Sequence, residues 1–334
     1  MGTPSTDYRI YGAELSPYSV KVRSYCRYKS IAHEWINRDM SRMKEFQALA
    51  KLPLIPLVLT PDEDVWQDST PILEKMEACF STPSIHPEDE VLNFISVLLE
   101  EFGDEWGNKM MFHYRWARDV DQISAANRLA ASNMPEAGAE ELVGISKMIR
   151  ERMSGRAYFV GSSPETAEQI ETSFKETMGL LEAHLANRAY LLGGRPCFGD
   201  FGLWAQVYEA WTDPTPKAVL EADFPAVVAW VARMLDPKEE GDFEDWAQLS
   251  GTLMPLLREQ VGANFLPWSA ANAAALESGA ETFTVELKGQ PYSQQPQKYH
   301  GRSLKVLREK YHAVRENRAL AEVLREAGCL EWLS

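Results

Sequence analysis

The pattern of strand and helix signals changes about 80 residues into this 334-residue chain. Before that point, short β-branched and aromatic runs alternate with helical patterns; after it, the apolar residues recur mainly at helical spacings. Residues 81–87 (Ser-Thr-Pro-Ser-Ile-His-Pro) lie between the two regions and have the composition of a linker. The pattern therefore favours an α+β chain, with a small sheet domain followed by an all-helical domain.

The first region has the order β-α-β followed by β-β-α. Strand signals cover residues 8–11, 34–37, 54–60 and 65–67. Ser16 followed by Pro17 is a strong helix start, because serine caps a helix and proline fits its first position. The sequence predicts a helix from Pro17 to about Lys29, and a second helix from about residue 70 to residue 80.

The second region is predicted to be a helical bundle. Its first helix carries an apolar stripe at Leu92, Ile95, Leu98, Leu99 and Phe102. Helices are also predicted at 255–261, 270–276, 304–314 and 319–327, with one hairpin at about 283–290. We expect three parts: residues 1–82, residues 88–238, and an extension of helices and a possible hairpin at 239–334, packed on the helical domain.

Charge and cysteine content exclude several classes of protein. The net charge of −15 disfavours nucleic acid and anionic membranes as partners, and no apolar run is long enough for a transmembrane helix. The N-terminus shows no secretory signal. The four cysteines form no CxxC and no zinc-ligand spacing, so we expect no metal and a reduced, cytoplasmic location. The chain also lacks a P-loop, a GxGxxG after a strand and an HExxH.

Four segments of the chain occur in a family-specific order. They are residues 15–19 (Leu-Ser-Pro-Tyr-Ser), 54–59 (Leu-Ile-Pro-Leu-Val-Leu), 66–72 (Trp-Gln-Asp-Ser-Thr-Pro-Ile), and 190–201 with Leu-Leu-Gly-Gly and a later Cys-Phe-Gly-Asp-Phe. Together they resemble the glutathione transferase family. The segments are similar, in order, to its Ser-Pro-Phe helix start, its strand with a cis proline, its Glu-Ser-x-Ala-Ile step, and the capping box of its helical domain.

This resemblance covers roughly residues 8–235 and implies a thioredoxin-like N-terminal domain followed by the family's helical domain. The last hundred residues lie outside the common family pattern. They resemble the long C-terminal extensions of some bacterial glutathione-transferase-like proteins.

The resemblance implies that Ser16 activates the glutathione thiol. A hydroxyl that donates to the sulfur favours the thiolate, and the start of a helix adds positive potential. Alternatively, Ser16 is only a helix cap, and Tyr11 or Tyr18 is the hydroxyl donor. Redox members of the family carry cysteine at this position. Serine therefore argues against a thiol–disulfide oxidoreductase, and Cys26 lies more than two turns further along the helix.

The resemblance also implies which backbone holds the cysteinyl part of glutathione. A cis Ile55–Pro56 bond would turn the Ile55 backbone outward, where it pairs with the ligand as an added strand would. The alternative is a trans proline in an edge strand with no ligand. The family's Gly-Lys or Gly-Gln before this point is replaced by Pro-Leu here. Lys44, or Lys51, is therefore the candidate for the glycine carboxylate, unless both are simply solvated.

Asp68 and Ser69 are the predicted partners of the γ-glutamyl end. The acid suits the ligand's ammonium, and the Ser69 hydroxyl and backbone N–H at a helix start suit its carboxylate. Alternatively, both residues only cap the helix that follows.

Aromatic residues and one histidine are predicted to form the pocket for a second, electrophilic substrate. Such side chains make an adaptable apolar wall, and the histidine could act as a general acid. The alternative is that most of them belong to the core. The candidates are Trp106, His113, Tyr114, Tyr18, Trp204 and Tyr208.

The predicted function is a glutathione-dependent transferase. Its second substrate would be a small electrophile, apolar or aromatic, with conjugation, dehalogenation and ether cleavage left open. The resemblance also implies a homodimer and a role in detoxification. The alternative is a non-catalytic binding or scaffolding protein that keeps the fold with a degenerate site.

Overall fold

A four-stranded sheet with three helices forms the N-terminal part of the computed structural model, which describes residues 7–334. The strands lie in the order β2-β1-β3-β4; β1 and β2 are parallel, and the other pairs are antiparallel. This is the thioredoxin-like arrangement. Its elements are β1 (Tyr8–Gly12), α1 (Pro17–Tyr28), β2 (His33–Asn37), α2 (Met43–Leu49), β3 (Leu57–Leu59), β4 (Val65–Gln67) and α3 (Ser69–Cys79).

The two faces of the sheet pack against different cores, because successive side chains of a strand point to opposite faces. Ile10 and Val58 join the large core that includes α1, α3 and the helical domain. Tyr11 and Leu57 face the other side and pack with Phe46 of α2. The sequence analysis did not predict α2, a short helix of seven residues in which Phe46 is the one fully buried side chain.

Eight α-helices follow, and the first two are joined end to end. A π-helical segment, Phe102–Gly107, connects α4 to α5, and we call the continuous stretch of residues 90–117 the long rod. The predicted stripe of its first part is confirmed, since all five residues are buried. The helices are α4 (Glu90–Glu101), α5 (Asn108–Ala117), α6 (Asp119–Asn133), α7 (Ala139–Ser154), α8 (Ala167–Leu185), α9 (Phe198–Trp211), α10 (Pro214–Asp223) and α11 (Pro225–Arg233).

Two glycines allow α9 to cross the long rod at backbone contact. A Cβ atom added to Gly103 would lie 2.5 Å from the Leu203 Cα atom, and one added to Gly202 would lie 2.8 Å from the Glu100 carbonyl oxygen. The same helix α9 also packs against α1. The crossing therefore connects the rod to the helix that begins at Ser16.

The C-terminal extension (residues 239–334) contains the predicted hairpin and a long helix. Helices were predicted at 255–261 and 270–276, whereas the structure has one helical stretch over residues 246–278 with a π-helical middle. Helix α12 packs on α8, and α14 packs on α13 and α4. The elements are α12 (Trp246–Leu256), α13 (Leu266–Ser278), β5 (Phe283–Leu287), β6 (Gln290–Gln294), α14 (Lys298–Val314), α15 (Arg318–Glu326) and α16 (Leu330–Leu333).

Across residues 7–334, none of the helices combines the length and the apolar character needed to span a membrane.

Candidate functional site

Ser16 occupies the N-cap of α1, as the sequence predicts. Its backbone is extended (φ −110°, ψ 110°), and its Oγ accepts a hydrogen bond from the Ser19 N–H at 3.3 Å. Pro17 is the first helical residue. A serine hydroxyl has one proton to donate and two lone pairs. The capping contact uses one lone pair, so the proton remains available for another acceptor, and the side chain is only half-buried.

The peptide before Ser16 is held by an arginine of the helical domain. Arg115 of α5 donates from Nη1 to the Leu15 carbonyl at 3.0 Å, while its other nitrogens bind Glu209 and Asp213 at 2.7 Å. Arg115 is 4% exposed. Sequence reasoning did not identify this positioning role, because an arginine in a helix usually has a solvated head group and its carboxylate partners lie about 95 residues away.

The Ile55–Pro56 peptide bond is cis, in agreement with the family resemblance. Gln67 fixes the preceding loop: its Oε1 accepts from the Lys51 and Leu52 N–H groups, and its Nε2 donates to the Leu52 and Leu54 carbonyls, at 2.8–3.1 Å. Ile55 itself is half-buried. One side chain thus anchors the loop that leads to the cis bond. The sequence contains no signal for this role of Gln67.

Asp68 lies immediately before α3 with a φ of 76°, a left-handed conformation that few residues other than glycine adopt. The Tyr299 hydroxyl, from α14 of the C-terminal extension, donates to Asp68 Oδ2 at 2.8 Å. The neighbouring Ser69 is 2% exposed, and its hydroxyl faces Lys21 Nζ at 3.4 Å. The two predicted γ-glutamyl partners are therefore neighbours that differ in accessibility. The Asp68 carboxylate lies near the surface, whereas the Ser69 hydroxyl faces inward.

A buried ion cluster lies beneath Ser69. Lys21 of α1 is fully buried and binds Glu100 at 2.5 Å and Asp104 at 2.7 Å, both on the long rod. Thr70 of α3 donates to the same Glu100 oxygen. Burial raises the pKa of the Asp104 carboxyl to about 7, and the nearby Lys21 ammonium opposes that rise. The cluster joins α1, α3 and the rod at one point, and so fixes the start of α3 relative to the start of α1.

The six predicted electrophile-pocket residues are not gathered around one cavity. Trp106, Tyr114 and Trp204 are 1–2% exposed and belong to the main core. Tyr208 is half-buried and stacks on Trp204 at 5.2 Å between ring centroids. The Tyr18 hydroxyl donates to the Asp104 carbonyl at 3.0 Å, which places Tyr18 between Ser16 and the rod.

His113 lies elsewhere, with both ring nitrogens engaged. Nδ1 is 2.8 Å from the Ser162 hydroxyl, and Nε2 is 3.1 Å from a Glu171 carboxylate oxygen. Burial lowers the pKa of His113, although Glu171 opposes the shift. The histidine borders a cavity of about 490 Å³ beside Ser154 and Tyr158, whereas Trp106 borders a different cavity of about 310 Å³ beside Thr172 and Tyr292.

The two lysine candidates are exposed, whereas the cysteine of α1 is buried. Lys44 is exposed on α2, and Lys51 is exposed in the loop before the cis bond. Cys26 is fully buried in α1, and burial raises the pKa of its thiol, a poor setting for thiol–disulfide exchange. The part of the chain that the structure describes, residues 7–334, contains no group of three or more His, Cys, Asp or Glu side chains arranged to hold a metal ion.

The capping box predicted in the helical domain is present at the start of α9. Asp200 Oδ2 accepts from the Cys197 N–H at 2.9 Å, and its Oδ1 accepts from the Leu191 N–H at 3.0 Å and from the Trp230 indole at 2.9 Å. Asp200 is fully buried. These contacts give Asp200 and Cys197 a structural role, as the sequence indicates.

Several solved structures are similar to this structure at low sequence identity. A glutathione S-transferase from Methylobacterium radiotolerans, in complex with glutathione sulfonate, is 17% identical, with 72% of this chain and 99% of that chain covered and a TM-score of 0.44. The β-etherase LigF from Sphingobium sp. strain SYK-6 is 18% identical (69% and 95% covered, TM-score 0.49). FzlA from C. crescentus is 16% identical (69% and 90% covered, TM-score 0.44).

Two protein-domain families match segments of the sequence. A search of curated proteins gives no match. Residues 15–79 match the family described as glutathione S-transferase, N-terminal domain, and residues 164–233 match glutathione S-transferase, C-terminal domain. The first match spans α1 to α3, with Ser16, the cis proline and Asp68, and the second spans α8 to α11. The chain therefore carries the N-terminal and C-terminal domains of the glutathione S-transferase family, in that order.

Proposed function

We propose that the protein is a glutathione-dependent transferase in which Ser16 stabilises the thiolate of bound glutathione. One observation carries the proposal: the Ser16 hydroxyl stands at the N-terminus of a 12-residue helix, and no described residue accepts its proton. A free thiol has a pKa near 8.5 and is mostly protonated at neutral pH. Hydrogen-bond donation from Ser16 and the positive end of α1 both favour the thiolate.

The reaction is a nucleophilic attack by that sulfur. The thiol proton leaves to solvent, the thiolate forms a bond to an electrophilic carbon, and the leaving group departs with its electron pair; in an addition, the new carbanion takes up a proton instead. Conjugation, dehalogenation and ether cleavage share this first step. The proposed second substrate is a small apolar or aromatic electrophile. Tyr18 and Tyr208 are the candidates for its wall, because the other aromatic candidates are buried in the core.

Glutathione would lie along the edge of the sheet domain. The Ile55 backbone, next to the cis bond, would pair with the cysteinyl part. Asp68 would hold the γ-glutamyl ammonium, and the Ser69 backbone N–H at the start of α3 would hold its carboxylate, since the Ser69 hydroxyl faces Lys21. Lys44 or Lys51 would reach the glycine carboxylate. We further propose a homodimer in the cytoplasm; elution at the monomer mass in gel filtration would contradict the dimer.

Kinetics of Ser16 variants test this mechanism. We expect Ser16→Ala to bind glutathione, to lose at least about tenfold in kcat/KM with 1-chloro-2,4-dinitrobenzene, and to show a higher thiol pKa by thiolate absorbance. Ser16→Thr keeps the hydroxyl and should retain most of the activity. Equal rates for Ser16→Ala and the wild type would refute the serine mechanism.

A non-catalytic binding or scaffolding protein is the second candidate. It is favoured by Pro53-Leu54 before the cis bond, where the family resemblance implies Gly-Lys or Gly-Gln with a side chain for the glycine carboxylate. Calorimetry on the wild-type protein separates the two functions. Binding of glutathione supports the transferase, whereas no detectable heat at millimolar glutathione would favour the scaffold.

A further inference from the structure

A small acidic cavity opens beside Asp68, between α3, the long rod and α14. Its volume is about 90 Å³. Among the described residues that line it, Arg302 is the one cation. Five carboxylates line the same space: Asp68, Glu74, Glu101, Asp104 and Glu105.

The inner wall of the cavity belongs to the long rod and is buried. Asp104 is 7% exposed, and its Oδ1 has no hydrogen-bond partner among residues 7–334, although its Oδ2 binds Lys21. Glu105 is 4% exposed; its Oε1 accepts from the Ser303 hydroxyl at 2.8 Å, and its Oε2 contacts the His300 ring. A buried carboxylate oxygen without a partner is costly. A cationic ligand group in the cavity would offset that cost.

The outer wall is α14, and specific contacts fix where this helix begins. The fully buried Asn272 of α13 binds Gln297 twice: its Nδ2 donates to the Gln297 carbonyl at 3.0 Å, and its Oδ1 accepts from the Gln297 N–H at 2.7 Å. The His300 ring packs edge-on against Trp268 at 4.9 Å. Further along, Lys310 pairs with Glu74 of α3 at 2.6 Å.

These contacts place Tyr299 and Arg302 at the mouth of the cavity. Both side chains are exposed, and the Tyr299 hydroxyl already holds Asp68 at 2.8 Å. An excess of carboxylates with a single guanidinium suits a zwitterion, that is, an ammonium group with a carboxylate on the same carbon. Arginine binds a carboxylate through two parallel hydrogen bonds, which lysine cannot do.

We infer that α14 completes the glutathione site from within the same chain, and that this cavity takes the γ-glutamyl amino-acid head group. The ammonium lies among Asp68, Asp104 and Glu105. Arg302 pairs with the carboxylate, and Tyr299 keeps Asp68 turned toward the ammonium. Arg302 and Tyr299 are thus specificity-determining residues supplied by the C-terminal extension. This inference rests on the proposed binding of glutathione.

Calorimetric titrations with two ligands test the inference. Glutathione carries the γ-glutamyl head group, and cysteinylglycine is the same peptide without it. We compare the wild type with Arg302→Met, Tyr299→Phe and the control Lys305→Met, which removes an exposed cation one turn along the same helix. For glutathione we expect Kd to rise about tenfold or more in Arg302→Met, a few-fold in Tyr299→Phe, and not at all in Lys305→Met. For cysteinylglycine all four proteins should be equal.

The other outcomes each overturn a definite statement. If the wild type binds glutathione and Arg302→Met binds it as tightly as Lys305→Met does, the inference is wrong while the proposed function stands. If Arg302→Met weakens cysteinylglycine as much as glutathione, Arg302 does not recognise the head group, and the inference again fails. If the wild type does not bind glutathione at all, both the inference and the proposed function fall.

Discussion

The Arg115 guanidinium and the Leu15 carbonyl, 100 positions apart, form a hydrogen bond of 3.0 Å that connects the helical domain to the peptide preceding Ser16. The same guanidinium neutralises Glu209, which is fully buried. We therefore expect Arg115→Met to lower the free energy of unfolding by about 3–5 kcal/mol, because it leaves a buried carboxylate without its partner. Urea denaturation would measure this loss.

A double variant identifies the cause of that loss. Asp213 also pairs with Arg128 and keeps a cation in Arg115→Met, whereas Arg115 is the one ion-pair partner of Glu209 in the described part of the chain. Adding Glu209→Leu should therefore restore part of the stability. If the double variant is no more stable than Arg115→Met, the cost does not come from an uncompensated charge.

The close crossing of α9 and the long rod leaves no space for a side chain at Gly103, whereas Gly251 of α12 faces open space. Gly103→Ala should destabilise the protein by about 1–3 kcal/mol or more, because its Cβ would lie 2.5 Å from backbone atoms of Leu203 that cannot move aside. Gly251→Ala is the matched control in α12, where a Cβ meets nothing within 4 Å. It should stabilise the protein by about 0.5–1 kcal/mol. Thermal denaturation of both variants would check this; a tolerated Gly103→Ala would contradict the crossing.

His184 makes stability depend on pH. Its Nε2 donates to the Leu191 carbonyl, so its Nδ1 accepts from the Thr252 hydroxyl, both at 2.8 Å, and the ring is neutral. Burial lowers the pKa of His184 to about 4, below the value near 6.5 of an unfolded chain. The unfolded state therefore binds the proton more tightly. The resulting stabilisation, about 3 kcal/mol, is complete above pH 6.5 and is lost as pH falls through 4.

The variant His184→Gln keeps a donor for Leu191 but does not titrate. Between pH 7.5 and pH 4.5 the free energy of unfolding should fall in both proteins. The fall should be smaller in His184→Gln than in the wild type, and the difference should be up to about 3 kcal/mol. The control is His312→Gln, at an exposed position on α14, which should follow the wild type. Parallel pH curves for His184→Gln and the wild type would show that His184 does not contribute.

The cap at Ser16 has an effect on stability that is separate from catalysis. Because the Ser16 Oγ accepts the Ser19 N–H, Ser16→Ala should lower the free energy of unfolding by about 1 kcal/mol, and Ser16→Thr by less. Guanidinium denaturation without glutathione measures this effect alone. An unchanged midpoint in Ser16→Ala would mean that the cap contributes nothing, whatever the variant does to turnover.

Local sequence signals predicted several elements in their observed order. The Ser16–Pro17 helix start, the apolar stripe of α4 and the hairpin near Lys288 were all predicted and are confirmed. Helix α2 was missed because its seven residues give less than two full turns in which an apolar pattern can repeat. The 33-residue stretch 246–278 was predicted as shorter helices, since an internal proline and a π-helical middle interrupt the usual spacing.

In the candidate site, too, some features were predicted from the sequence and others were decided by the tertiary structure. Local sequence signals predicted the helix cap at Ser16, because caps depend on neighbouring residues, whereas the cis proline and the role of Asp68 were implied by the family resemblance. Tertiary structure decided what surrounds them: Lys21 meets Glu100 79 positions away, and Tyr299 reaches Asp68 across 231 positions. It also buried three of the aromatic candidates in the core. No local pattern encodes such pairings, because burial and charge compensation depend on which distant elements pack together.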